Sequence, residues 1–159
     1  MKNTAAPRFW WPTLVSTTIA TVATTVHHVF RLGPEVVLPG MLLIALPVLA
    51  LLWIRARGSG IALGILGALV TLTFVWFGFV DGFLDHVFKA VGLPHVTLLP
   101  GGEAEVVETY YSLGGTDTSA AFYEATGIVE ALASATMLGF TIALIASIVR
   151  ARAAKPTAS

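Results

Sequence analysis

Apolar residues gather in four long blocks along the chain, at about 10–31, 36–54, 60–90 and 120–149, separated by glycine, proline or charge. Crossing the ~30 Å hydrocarbon core of a bilayer takes about 20 helical residues, and each block is near that length or longer. Backbone groups in lipid must be paired within their own segment, which selects helices. The pattern therefore predicts an all-α integral membrane protein, a four-helix transmembrane bundle. It forms a single domain over residues 1–155, with a short disordered tail at 156–159.

The blocks differ in detail. The first opens on Trp10-Trp11-Pro12 beside Arg8, as a helix entering through a membrane interface does. Its length argues against a cleaved signal peptide. The second holds Pro39 in its first turn, where proline is tolerated, and Pro47 in its interior, where a kink is expected. The third has roughly 30 residues, or about 45 Å of helix, so its far end should project beyond the hydrocarbon. Gly92-Leu93-Pro94 stops it. The loop at 95–119 carries glycine-rich stretches at Pro100-Gly101-Gly102 and Gly114-Gly115. A short helix over 103–113 is expected between them, with Tyr110 and Tyr111 suited to the interface.

Charge sets the orientation. Lys2 and Arg8, then Arg55 and Arg57, then Arg150, Arg152 and Lys155 all fall on one side of four spans. The loop on the other side holds Glu103, Glu105, Glu108 and Asp117, with no lysine or arginine. Positive loops stay inside, so both termini are expected to be cytoplasmic (N-in/C-in), in a bacterial cytoplasmic membrane, with the acidic loop outside.

Composition agrees with this class. The chain is 56% hydrophobic and only 11% charged, where a soluble domain has about 25% charged residues. Nine basic residues balance nine acidic ones, so nothing points to nucleic acid as a partner. The absence of cysteine excludes disulfides, thiolate metal sites and cysteine nucleophiles. There is no Gly-x-Ser-x-Gly to support serine hydrolysis.

The candidate chemistry collects at the outer ends of the blocks. Helix one brings His27, His28 and Arg31. Helix three brings Asp81, Asp85 and His86 within Val80-Asp81-Gly82-Phe83-Leu84-Asp85-His86. Helix four brings Glu124 and Glu130. At about 100° per residue, His28 continues a stripe of Thr13, Thr17, Thr21 and Thr24. Asp85 continues a stripe of Gly60, Gly64, Gly67, Thr71 and Gly78, flanked by Asp81 and Gly82. Glu124 and Glu130 flank a face with Gly127 and Ser134. Small and hydroxylated residues mark packed interfaces in membranes, so three helices turn their ionisable groups toward one another at similar depth.

Glu130 lies about 15 Å inside its helix, where an acid marks a functional site by default. It is a candidate catalytic proton acceptor, with His28, His27 or Arg31 as its partner. Arg31 is a candidate counter-charge for an anionic cofactor or ligand. His27, His28, Asp81, Asp85, His86 and Glu124 form a candidate metal-ligand set. Its nitrogen and oxygen donors suit Zn, Fe, Mn or Cu(II), and bundles build such sites from facing helices. Haem is disfavoured, because there are only four histidines and two are adjacent. The plain alternatives are that Glu130 is protonated and hydrogen-bonded to serine or threonine, and that the histidines are interfacial while Asp81 pairs with Arg31 or Lys89.

The leading function is thus binding of a metal ion or small polar ligand in the outer half, with metal-dependent membrane enzymology open. Alternatives are a proton-coupled transporter or channel-forming oligomer, and a non-catalytic accessory subunit of a membrane complex. The expected partners are the lipid bilayer and either a second copy or a membrane subunit. The Gly60-x-x-x-Gly64-x-x-Gly67 pattern would admit a close helix from either.

Overall fold

The structure is a computed structural model and describes residues 8–97 and 110–154. Among these residues it is all helical, with no strand. Helix α1 spans Trp10–Leu32 and a single 3-10 turn follows at Pro34–Val36. Helix α2 spans Val37–Arg57 and continues through Pro47. Helix α3 spans Gly60–Ala90, and α4 spans Thr116–Ala153. The α2–α3 turn is only Gly58-Ser59. Gly58 takes a left-handed φ of 61°, the conformation glycine adopts without a steric penalty. The Ser59 hydroxyl accepts the N–H of Ala62, capping α3.

Among the described residues, three helical segments are long and apolar enough to cross a membrane: Pro34–Arg57, Gly60–Ala90 and Thr116–Ala153. Helix α1 is not among them, although its 23 residues would suffice by length. Its composition explains this. Thr13, Thr17, Thr21, Thr24 and His27 are buried, while Val15, Ile19, Val22 and Val26 are exposed. The apolar face of α1 points outward and its hydroxyl face points into the protein.

Each helix packs on two neighbours, α1 on α2 and α4, and α3 on α2 and α4. The interior falls into two halves. Around the start of α1 and the α2–α3 turn, Trp10, Leu51, Ile54, Leu66 and Leu144 form an apolar core. There the Trp10 indole donates to the carbonyl of Leu51 at 3.0 Å. Toward the other end of α1 the buried side chains include Thr24, His27, Asp81, His86 and Glu130, beside a small apolar cluster of Phe30 and Tyr123.

Helix α3 departs from the uniform 100° turn expected of it. Residues Phe74–Val87 form a π-helix 14 residues long, with i→i+5 pairing in place of i→i+4. On an α-helix Asp81 and His86 would diverge by about 140°; here, one π turn apart, both are buried on the inward side. The close helix approach also differs from the glycine pattern. Among the described residues, Gly64 has nothing within 4 Å of a Cβ, and Gly60 and Gly67 meet nothing nearer than 3.7 Å. Instead α3 closes on α4 at Gly82, where a Cβ would lie 3.0 Å from the Ala131 backbone.

Past α3, the backbone N–H groups of Tyr110 and Tyr111 donate to the carbonyls of Arg31 and Phe30 at 3.3 and 3.4 Å. Residues 110–113 are not helical. The rest of the expected loop helix, 103–109, and the tail at 156–159 lie outside the described residues.

Candidate metal centre

The centre is built where the polar half of α1 meets the π segment of α3 and the first turns of α4. His27 enters from α1 with no solvent exposure, between Tyr123 and His86. Its Nδ1 lies 2.9 Å from the hydroxyl of Thr126. That hydroxyl donates its own proton back to the carbonyls of Phe122 and Tyr123. With its proton given to a carbonyl the hydroxyl accepts from His27 Nδ1, the tautomer that leaves a lone pair on Nε2; the opposite tautomer would aim Nε2–H at Asp81.

His86 is oriented in the same way. Its Nδ1 lies 2.9 Å from a carboxylate oxygen of Glu124, whose other oxygen accepts from Lys89 at 2.8 Å. A carboxylate paired with lysine is an acceptor, so His86 carries its proton on Nδ1 as well. His28 completes the set: its Nδ1 donates to the backbone carbonyl of Thr24 at 2.9 Å. All three imidazoles thus have Nδ1–H tied down and Nε2 free to bind.

Asp81 is the acceptor that these rings meet. Its Oδ2 lies 3.5 Å from His27 Nε2 and 3.7 Å from His28 Nε2. Glu130 approaches from α4, with Oε2 at 3.9 Å from His28 Nδ1. Among the described residues, His27 Nε2, His86 Nε2, Asp81 Oδ2 and both Glu130 oxygens are buried without a hydrogen-bond partner. A buried polar group left unpaired costs about 1–3 kcal/mol, and a charged one more. The centre gathers acceptor atoms that no strong hydrogen bond pairs with one another.

That donor chemistry fits a cation. His27, Asp81 and His86 offer ligand atoms all within 4.8 Å of one another, and so do His28, Asp81 and Glu130. Two ligands about 2.1 Å from a tetrahedral zinc stand roughly 3.4 Å apart, close to the His27–Asp81 separation. A histidine that binds metal through one nitrogen commonly donates the other N–H to a carboxylate or carbonyl. The Glu124–His86 and Thr24–His28 pairs have that form.

The sequence candidates therefore take different places. His27, His28, Asp81, His86 and Glu130 come together. Glu124 stands behind His86. Asp85 is buried and accepts from the Thr97 hydroxyl at 3.0 Å, outside both groups. Arg31 donates to the Tyr123 hydroxyl at 2.8 Å and lies over its ring. Lys89 meets Glu124, and Asp81 faces the histidines.

Tyr123 and Thr126 were not among the sequence candidates. Tyr123 stacks on His27 at 4.4 Å between ring centres and meets His86 edge-on at 4.8 Å. A signal for it existed: Tyr123, Gly127, Glu130 and Ser134 recur at helical spacing, and all are buried. Nothing in the sequence singles out Thr126.

A cleft of about 310 Å³ reaches the centre from the side, lined by Thr24, Thr25, His28, Gly40, Trp76 and Phe77 among others. Its walls are mainly apolar and His28 is its ionisable residue. A larger groove of about 630 Å³, lined by Val15, Ile19, Leu132 and Phe140 among others, carries no ionisable side chain. The chain matches no protein-family model, no curated protein and no solved structure.

Proposed function

We propose that this is a membrane protein of four spans, both termini cytoplasmic, which holds a divalent first-row transition-metal ion at His27, Asp81 and His86. The observation that carries this is the convergence of buried lone pairs. Two imidazoles with Nδ1–H anchored, and one carboxylate, turn unpartnered acceptor atoms toward a common space. A nitrogen–oxygen set without thiolate suits Zn, Mn, Fe or Cu(II). Three protein ligands leave positions for water or a ligand, and a bound ion supplies Lewis acidity there. The apolar cleft at His28 favours a lipid-soluble ligand with an oxygen or nitrogen donor.

The test is elemental analysis of untagged protein purified in detergent without chelator, beside Asp81→Ala and His27→Ala/His86→Ala variants. Near-stoichiometric metal, lost in both folded variants, is expected. A wild-type chain that holds none, even after exposure to Zn, Mn, Fe and Cu(II) in turn, would rule the proposal out.

One observation favours a second reading, proton-coupled transport. Hydroxyls of Thr24, Thr17, Ser134 and Thr141 are buried without a hydrogen-bond partner among the described residues, on the two helices that carry His28 and Glu130. They would line a polar path away from Glu130. Solute uptake driven by a proton gradient in liposomes, abolished by Glu130→Gln, would support it.

A further inference from the structure

We infer that the centre has two metal positions, bridged by Asp81. The second is formed by His28 and Glu130 together with that shared carboxylate. This rests on the metal reading above and extends it. The two donor groups have Asp81 in common and no other member. An ion at His27, Asp81 and His86 leaves Glu130 uncompensated. Glu130 has no exposure, and its neighbouring hydroxyl, that of Thr24, is neutral and cannot balance a carboxylate charge.

His28 cannot supply that balance. Its Nδ1–H, 3.9 Å from Glu130, is already given to the Thr24 carbonyl at 2.9 Å. Its Nε2 presents a lone pair to Asp81. His28 and Glu130 each bring a ligand atom within 4.8 Å of one on Asp81, as His27 and His86 do. A buried carboxylate is retained where it is paired or bound to a metal. Asp81 is placed to serve both positions, because its Oδ2 is at similar distances from His27 and His28. Carboxylates bridge paired ions that stand about 3.5–4 Å apart.

The two positions are unequal. His27 and His86 have no exposure. The His28 side chain is 13% exposed and lines the cleft. The His28 position is therefore the one that exchanges, and a chelator should empty it first.

The full chain in detergent, loaded with Mn(II) and freed of excess, tests this by metal-to-protein ratio and electron paramagnetic resonance. Two ions per wild-type chain with an exchange-coupled spectrum are expected. Glu130→Gln and His28→Ala should each hold one ion with an isolated six-line spectrum. One ion in the wild type, unchanged in both variants, would overturn the second position and leave the single-metal reading intact. Two ions retained in both variants would overturn the assignment to His28 and Glu130. No ion at all would overturn both readings.

Discussion

Replacing Gly127 with alanine tests whether His86 is fixed by the packing of α4. A Cβ at Gly127 would overlap Cδ2 and Cγ of the His86 ring. The ring has little room to yield, because it has no exposure and is held by His27 and Tyr123 at 4.9 and 4.8 Å and by Glu124 at 2.9 Å. Overpacking of this kind costs about 1–3 kcal/mol. Losing the hydrogen bond to the charged Glu124 adds about 1.5–3 kcal/mol. The better helix propensity of alanine returns about 0.5–1 kcal/mol. A net loss of roughly 2–5 kcal/mol follows, or about 4–20 °C in melting temperature at ~2–4 °C per kcal/mol for a chain of this size. Gly139→Ala is the matched control, on the same helix with nothing within 4 Å of its Cβ. It should be neutral or slightly stabilising. The assay is thermal unfolding in detergent together with metal content, and Gly127→Ala should lose both stability and metal. If the two variants behave alike in both measurements, His86 is not held as described.

Two further substitutions separate orientation from ligation. Glu124→Gln keeps the size of the side chain but removes the charge that holds His86 Nδ1 and Lys89. Metal affinity should fall about 10–100-fold without abolition, measured by chelator competition. Tyr123→Phe keeps the ring against His27 but removes the hydroxyl bonded to Arg31 at 2.8 Å. It should cost about 1.5–3 kcal/mol of stability with metal content unchanged; loss of metal would mean that the hydroxyl has a direct part in the site.

The sequence foretold the helices better than the faces of one of them. Four apolar blocks mark α1 to α4, because in lipid a run of apolar residues can only be a helix or a barrel strand. Even so, α1 is too rich in threonine and histidine to stand with the other three as a membrane span by composition. Its inward hydroxyl stripe was legible from helical spacing, since Thr13, Thr17, Thr21 and Thr24 are all buried. The face of α3 was not. A uniform turn points Asp81 and His86 apart, and no feature of Phe74–Val87 announces i→i+5 pairing. Asp85 was therefore counted with the ligands, although it turns to Thr97. Helical spacing puts His28 on the inward threonine stripe, yet His27 is buried more deeply than His28. Hydrogen bonds from side chain to side chain, such as His27 to Thr126, join residues 99 apart in sequence, and no local pattern encodes them.

The plain alternative, polar residues serving only to fasten helices, can be weighed on the same hydrogen bonds. Polar glue works by pairing donors with acceptors across helices. Several pairs here do that: Arg31 with Tyr123, Lys89 with Glu124, and Thr13 with the Phe140 carbonyl. The central cluster does not. Each histidine donor is spent on an outer partner, on Thr126, Thr24 or Glu124. Two carboxylates and the Nε2 atoms remain facing inward. Fastening would be served better by turning any one of these rings so that an N–H met Asp81 or Glu130. The outer hydrogen bonds prevent that, and the glycine at 127 gives His86 the space to hold its orientation. A π segment in α3, itself an uncommon conformation associated with functional sites, puts Asp81 and His86 on one face. Three separate devices thus turn ligand atoms of His27, Asp81 and His86 toward one another, an arrangement that the proposed metal site accounts for and fastening alone does not.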